Sequence, residues 1–215
     1  MKERNVTLIL ASASPRRRDF LRRVGLTFRV RPARVEERPR EGEPPEALAL
    51  RLSREKALAV AREERGIILA ADTIVVLDGR ILGKPKDPEE ARAMLRALRG
   101  RWHTVYTGAA VVDAREDLQV HALVDAAHVL MRPYSDEEID AFVASGRALD
   151  KAGAYAIQDT AFAPVQTIRG CRATVLGLPW ARLLPILEGV GIPRPDDPAR
   201  ACRELFATCC LEEEG

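Results

Sequence analysis

Apolar and polar positions along the chain follow two kinds of pattern, and together they predict a succession of strands and helices. Aliphatic and β-branched runs predict strands over residues 6–10, 27–30, 67–77, 102–113, 118–131 and 162–168. Stretches of helix formers that open at Ser, Asp or Pro and close near Gly or Pro predict helices over residues 14–25, 46–65, 87–99, 135–145, 178–187 and 196–211. Helices alternate with strands at first, and long paired strands follow. We therefore predict an α/β or α+β fold with a twisted mixed β-sheet flanked by helices.

The first strand and helix meet at LILASASPRRR, residues 8–18, which combines a buried strand, a tight turn and a helix start. Ser14 and Pro15 are typical of the start of a helix, where unpaired N–H groups attract anions. Ser12, Arg16 and Arg17 add a hydroxyl group and two guanidinium groups at the same place. This combination favours binding of a phosphate chain. The alternative is a simple cap by Ser14 with solvated arginines.

Asp72 stands in the middle of an apolar run, IILAADTIVVL. An unpaired carboxylate buried in a strand costs several kcal/mol, so Asp72 must face a cation, a metal or a wet cleft. A plain structural ion pair remains an alternative to a functional role.

Lys56 interrupts an apolar stripe of the second predicted helix, formed with Leu48, Leu52 and Val60 at intervals of four residues. Its ammonium group either snorkels to solvent or reaches into a polar cleft. In the preceding charged loop, Glu36 and Glu37 have the pattern of a solvated face.

Five ordered motifs resemble those of the Maf family, nucleotide pyrophosphatases first named as septum-formation inhibitors. They are LILASASPRRRDFL, ADTIV, LGKP, DKAGAYAIQ and GLP, and the resemblance spans about residues 6–190. It implies two lobes with a central cleft, a fold shared with inosine-triphosphate pyrophosphatases. It also implies hydrolysis of a nucleoside triphosphate to monophosphate and pyrophosphate.

The resemblance implies roles for individual residues. The catalytic residues would be Asp72, Lys84 and Lys56; the substrate-binding residues Ser12, Arg16, Arg17, Thr73 and Gln158; and the ligands of a divalent cation, Mg²⁺ or Mn²⁺, Glu37 and Asp72. Asp72 would activate the attacking water, while Thr73 and Gln158 would read a uracil or thymine ring, which makes dTTP and UTP the expected substrates. Asp159 stands where the family has a glycine, which bears on the loop after Gln158.

Two other functions stay open from the sequence. One is a regulator of cell division that acts through a protein partner, as the family's septum phenotype suggests. The other is a pyrophosphatase for methylated guanine nucleotides, whose relatives carry a glutamine and a tryptophan where this chain has Thr73 and Arg16.

Composition and charge bear on which partners the protein binds and on its location in the cell. The chain has 215 residues, with 34 Lys and Arg against 32 Asp and Glu, so its net charge of +2 does not favour nucleic acid or a membrane. Residues 1–5 lead into a strand without a signal-peptide core, so we expect a cytoplasmic protein; a homodimer stays open. The four cysteines lack zinc-ligand spacing, and we expect Cys202, Cys209 and Cys210 to be partly packed or incidental thiols. We expect one pyrophosphatase domain of two lobes at residues 1–192 and a helical extension at 193–215.

Overall fold

A computed structural model describes residues 6–211, which form seven strands, seven helices and a single 3₁₀ turn at Ala152–Ala154. The strands are β1 (Leu8–Leu10), β2 (Phe28–Val30), β3 (Ile67–Leu77), β4 (Arg80–Leu82), β5 (Trp102–Asp113), β6 (Gln119–Met131) and β7 (Val165–Arg169). The helices are α1 (Pro15–Arg23), α2 (Pro45–Ala61), α3 (Pro88–Leu98), α4 (Asp136–Ala144), α5 (Arg172–Leu176), α6 (Trp180–Gly189) and α7 (Arg200–Phe206). The N-terminal residues 1–5, on which the expectation about a signal peptide rests, lie outside the described part.

The strands form one mixed sheet in the order β2-β1-β3-β5-β6-β7, with β4 paired to β3. β1 runs parallel to β2 and β3, whereas all the other pairs are antiparallel. This confirms the mixed sheet predicted from the alternation of strands and helices. No helix in residues 6–211 is both long and apolar enough to cross a membrane.

One edge of β3 is interrupted at its middle. β1 pairs with residues 67–69 and β4 pairs with residues 75–77, while β5 occupies the opposite edge along residues 67–76. Within the described chain, no strand covers the first edge over residues 70–74. We call this gap the notch, and Asp72 lies at its centre.

Helices cover both faces of the sheet. On one face α2 crosses β3 and β5, and its approach is so close that a Cβ added to Gly108 would lie 2.1 Å from the carbonyl oxygen of Ala49. On the other face, α1, α6 and α7 bury one hydrophobic cluster with β1 and β3. A second cluster lies between the far end of the sheet, α3 and α4.

Local chemistry explains where the helices begin. The side chain of Ser14 accepts from the N–H of Arg17 at the start of α1, with Pro15 as the first helical residue. Asp87 caps α3, and Ser135 forms a capping box with Glu138 at the start of α4. These three helix starts agree with the sequence prediction.

Other boundaries were predicted wrongly. α2 ends at Ala61 and not at residue 65, and the last helix covers only Arg200–Phe206 of the predicted 196–211. α5 was not predicted, because five residues leave too short a pattern to detect. The division at residue 192 stays a prediction, although α7 contributes Ala201 and Cys202 to the first hydrophobic cluster.

Candidate active site

A cavity of about 640 Å³ opens at the notch. Five cationic and three acidic side chains line it, and this volume is in the range of sites that bind small molecules. All nine residues expected to act on the substrate or metal contribute to its wall: Ser12, Arg16, Arg17, Glu37, Lys56, Asp72, Thr73, Lys84 and Gln158. The structure thus brings together side chains spread over almost 150 positions of sequence.

The notch gives the cavity access to both faces of the sheet. Because successive strand residues point to opposite faces, Asp72 lies on the α2 face and Thr73 on the other. In a continuous sheet a neighbouring strand would separate the two faces at this point. Here a ligand can contact both residues by crossing the uncovered edge of β3.

On the α2 face, Lys56 joins two carboxylates. Its ammonium group donates to Asp72 Oδ1 and lies 2.7 Å from Glu37 Oε1. Lys56 and Asp72 are each less than 10% exposed, whereas the side chain of Glu37 is 56% exposed. Lys56 therefore does not snorkel to bulk solvent; its stem packs with α2 and its head lies in the cavity.

Opposite pKa shifts distinguish the two carboxyl groups. Burial raises the pKa of Asp72 above its usual value, although the charges of Lys56 and Arg17 oppose the shift. Burial also acts to raise the pKa of Glu37, but its hydrogen bond and charge interaction with Lys56, with help from Lys84, lower it overall. Asp72 is thus the more basic carboxylate, whereas Glu37 stays ionised over a wider pH range.

On the opposite face, Arg17 connects three parts of the chain. Its Nε donates to the carbonyl oxygen of Gly177 at 2.8 Å, and its two terminal nitrogens donate to Ser12 Oγ at 3.1 Å and Thr73 Oγ1 at 3.0 Å. Burial lowers its pKa to about 10, against the opposing charge of Asp72, so Arg17 remains a cation at neutral pH. These bonds use three of the five N–H donors of the guanidinium group.

Two further cations stand at the more open part of the cavity. Arg16, on the first turn of α1, has its Nη1 3.7 Å from Asp150 Oδ2. Lys84 is exposed on the loop after β4, and that loop is tied to the 3₁₀ turn by the hydrogen bond from the Gly153 N–H to the Gly83 carbonyl oxygen at 3.1 Å. Both cations are accessible to a polyanionic ligand.

Gln158 lies in the cavity wall and carries a buried side-chain oxygen that lacks a hydrogen-bond partner in the described residues. Its Oε1 is buried and accepts no hydrogen bond from residues 6–211. A buried acceptor without a partner costs free energy, and a ligand donor at this position would remove that cost. Thr73 Oγ1 lies on the same face of the sheet and contacts Thr107 Oγ1 at 3.1 Å.

Asp159, the departure from the glycine of the family pattern, has a definite structural role. Its Oδ2 accepts from Arg147 at 2.6 Å and its Oδ1 accepts from the N–H of Phe162 at 2.9 Å. The side chain is only 7% exposed. Asp159 therefore organises the turn that follows Gln158.

Sequence reasoning missed three polar residues of the cavity wall: Asp150, Lys151 and Tyr155. The DKAGAY segment carried the signal, since it sets an acid and a base beside a glycine-bearing turn. The sequence analysis used this segment only as one of the motifs that resemble the Maf family.

The residues available to a divalent cation are few. Among residues 6–211, no group of three or more His, Cys, Asp or Glu side chains is arranged to hold a metal ion. Asp72 and Glu37 both contact the single nitrogen of Lys56, so their carboxylates converge on one small volume. Mg²⁺ is commonly held by one or two carboxylates together with water and substrate phosphate oxygens, and this pair fits that requirement.

The chain is similar to known proteins in its sequence, and more distantly in its structure. The sequence profile of the family described as Maf-like protein matches residues 7–190. A dTTP/UTP pyrophosphatase of Anaeromyxobacter dehalogenans is 50% identical over 189 residues, covering 87% of this chain and 96% of that protein. A protein of the same name from Thermomicrobium roseum is 48% identical over 208 residues, covering 96% and 94%. Among solved structures, the Staphylococcus aureus Ham1 protein aligns over 59% of this chain and 72% of its own, with 16% identity and a TM-score of 0.41.

Proposed function

Because the chain belongs to the Maf-like protein family, we propose that its cavity hydrolyses the nucleoside triphosphates dTTP and UTP to monophosphate and pyrophosphate. The observation that carries the proposal is the buried Asp72, paired with Lys56 inside a cavity with an excess of cations. The names of the relatives, at close to 50% identity over nearly their whole length, support the same activity.

In the proposed mechanism the cationic wall binds the triphosphate. Arg16 exchanges its contact with Asp150 for a phosphate oxygen, and Lys84 neutralises a second charge from the opposite loop. Arg17 keeps its three contacts with the protein and offers its two remaining N–H groups. Phosphoryl transfer depends mainly on such positioning and charge neutralisation.

Asp72 accepts the proton of the attacking water in this proposal. Its raised pKa suits that role, since a base is most effective when its pKa lies near the working pH. Lys56 holds the carboxylate in place and keeps it ionised until water is bound. As the proton moves to Asp72, Lys56 shifts its hydrogen bonding to Glu37, which stays ionised.

A divalent cation, Mg²⁺ or Mn²⁺, would be held by Asp72 and Glu37. When bound, it would neutralise charge on the phosphate oxygens and favour ionisation of a bound water. We propose this metal dependence from the two converging carboxylates.

Base selection is assigned in the proposal to Gln158 and Thr73 on the face opposite Asp72. The imide edge of uracil and thymine presents an acceptor, a donor and an acceptor. The unpaired Gln158 Oε1 can accept from the imide N–H, while its amide group donates to a neighbouring carbonyl oxygen. A cytosine would leave one partner unpaired and buried, which costs about 1–3 kcal/mol.

We propose that the reaction takes place in the cytoplasm, where these nucleotides occur. The protein would act there as a monomer or as a homodimer.

A protein-binding regulator of division would not need an acid, a lysine and helix-start arginines to converge in one cavity. That convergence favours the enzyme. Methylated GTP enters the test as a competing substrate.

The test is a panel of nucleoside triphosphates, including methylated GTP, assayed for pyrophosphate with Mg²⁺, with Mn²⁺ and with chelator. We expect dTTP and UTP to give the highest kcat/KM, and activity to need a divalent cation. Asp72→Asn should lower kcat by about 10²–10⁴, while the matched control Asp140→Asn, on the exposed surface of α4, leaves it unchanged. Orthophosphate as the first product, full activity in chelator, or wild-type turnover by Asp72→Asn would contradict the proposal.

A further inference from the structure

Glu37 lies on a segment that has little regular structure to hold it. Residues 31–44, between β2 and α2, contain no helix or strand, and most of their side chains are exposed. Within the described chain, residues 32–39 make no backbone-to-backbone hydrogen bond. The side chain of Glu37 is itself 56% exposed. A carboxylate on such a segment is free to move unless side-chain contacts fix the segment.

Arg51, on α2, supplies contacts of this kind. Its Nε and Nη2 donate to the two carboxylate oxygens of Glu43 at 2.6 and 2.7 Å, which makes a bidentate pair. Nη2 also donates to the carbonyl oxygen of Arg38 at 3.0 Å, and Nη1 donates to Glu55 Oε2 at 3.0 Å. The side chains of Arg51 and Glu43 are only 15% and 10% exposed. Bidentate geometry and partial burial distinguish this pair from an ordinary surface ion pair.

The bonds of Arg51 act on the backbone next to Glu37. Arg38 is the residue that follows Glu37, and its carbonyl group is bound directly. Glu43 Oε2 also accepts from the N–H of Arg40 at 3.0 Å, so that N–H is tied to Arg51 through Glu43. Arg51 lies outside the cavity wall, whereas Glu37 lines the cavity. A side chain remote from the cavity thus fixes the segment that carries a cavity residue.

We propose that Arg51 is a positioning residue that holds Glu37 beside Asp72, so that the two carboxylates can bind a divalent cation. This inference rests on the proposed function, in which Glu37 and Asp72 hold Mg²⁺ or Mn²⁺. Because Arg51 orders the segment beforehand, cation binding need not supply the free energy of ordering it. Without Arg51 the cation should bind about 10–100-fold more weakly, the range observed when residues that orient metal ligands are replaced.

The test measures binding of Mn²⁺ alone to the full-length protein by electron paramagnetic resonance, without nucleotide. We expect Arg51→Met to raise the Kd for Mn²⁺ about 10–100-fold. Arg51→Lys keeps the charge but loses the planar fork, so it should raise the Kd less. Arg54→Met is the matched control, because it removes an exposed arginine of α2 that lies outside the cavity wall. It should leave the Kd unchanged.

A double-variant cycle separates the positioning of Glu37 from a general effect on the fold. Since Glu37→Gln already removes the carboxylate, adding Arg51→Met to it should weaken Mn²⁺ binding by no more than about twofold. Trypsin gives a second readout on metal-free protein. Cleavage after Arg34 and Arg40 should be about tenfold faster in Arg51→Met than in Arg54→Met, because the segment is then less ordered.

Activity with dTTP gives a third readout. Arg51→Met should need more Mn²⁺ for half-maximal activity, yet reach a kcat within about twofold of the wild type at saturating Mn²⁺. Four results would each overturn the inference: no Mn²⁺ binding by the wild type, an equal Kd in Arg51→Met, an undiminished effect of Arg51→Met in the Glu37→Gln background, or equal cleavage of Arg51→Met and Arg54→Met. If Arg51→Met fails to fold, Arg51→Lys decides by the same measurements. Absence of pyrophosphate formation by the wild type would contradict the proposed function alone, because Mn²⁺ binding and trypsin cleavage are measured without nucleotide.

Discussion

The pairing of Lys56 with Asp72 makes a quantitative prediction about stability that does not depend on activity. Lys56→Met keeps most of the apolar stem packed in α2 and deletes the ammonium group. Asp72 is then a buried carboxylate without its main counter-charge, since Arg17 contributes less and Glu37 repels it. Breaking a buried pair in this way costs about 3–5 kcal/mol when the remaining group stays charged.

Asp72 can avoid part of that cost by taking up a proton. Loss of an opposite charge in contact raises a carboxyl pKa by about 1–3 units, which corresponds to ~1.4–4 kcal/mol. Between the pKa of Asp72 in the unfolded chain and its raised pKa in the folded variant, the folded protein binds more protons than the unfolded chain. Over this range the free energy of unfolding of the variant therefore falls as pH rises. The stability gap between wild type and Lys56→Met should widen by about 1.4 kcal/mol per pH unit between the two pKa values of Asp72, and become constant above the higher one.

The assay is urea unfolding of both proteins at pH values from about 5 to 9, with the free energy extrapolated to water. The double variant Lys56→Met/Asp72→Asn has no carboxylate at position 72 to protonate. The difference in free energy of unfolding between it and the wild type should therefore not show the increase with pH that Asp72 causes in the single variant. Lys86→Met, which removes an exposed lysine outside the cavity, is the control for charge alone. A gap between wild type and Lys56→Met that stays constant with pH would refute the reasoning, as would equal pH dependence in the single and double variants.

Three further substitutions test other parts of the site and fold. Glu37→Gln removes a negative charge that raises the pKa of Asp72, so the acid limb of the kcat/KM pH profile should move to lower pH. A shift of that limb to higher pH would contradict the assignment of Asp72 as the base. Asp159→Gly removes the side chain that organises the turn after Gln158, so the preference for dTTP over GTP should fall about tenfold. Asp159→Asn keeps an acceptor for the Phe162 N–H and should lower this preference less. Equal dTTP-to-GTP ratios of kcat/KM in the wild type and both variants would show that Asp159 does not affect base selection. Gly108→Ala brings a methyl group against the carbonyl of Ala49 and should cost about 1–3 kcal/mol, or roughly 2–12 °C in melting temperature, by differential scanning calorimetry; an unchanged melting temperature would show that α2 yields freely.

Local patterns were sufficient to predict the elements that carry the site. β3 was predicted at its observed bounds, because an eleven-residue aliphatic run bounded by turns has few alternatives. α1 was predicted because Ser14 and Pro15 make a strong helix start. The stripe that contains Lys56 followed from helical spacing, and its burial is confirmed.

What depends on distant contacts could not be predicted in this way. α5 is only five residues long and is followed by the left-handed Gly177. The carbonyl oxygen of Thr174 on α5 accepts from Thr107, and that of Gly177 accepts from Arg17, both donors lying on other elements. No local pattern reveals an acceptor 160 positions away from Arg17. The roles given to the site residues rest on family resemblance, and they stay predictions until the variants are measured.

The notch has a consequence for hydrogen exchange. Leu69 accepts from Ala11 on the interrupted edge of β3, so by alternation the amide groups of Ala71 and Thr73 face the same edge, where no described strand covers them. Ala71 is fully buried and Thr73 is partly exposed, so the amide of Thr73 is the one that solvent can reach, although β5 protects the opposite edge of the strand. A nucleotide lying across the notch would shield the Thr73 amide. The exchange rate of this amide thus reports occupancy of the site from within the backbone itself.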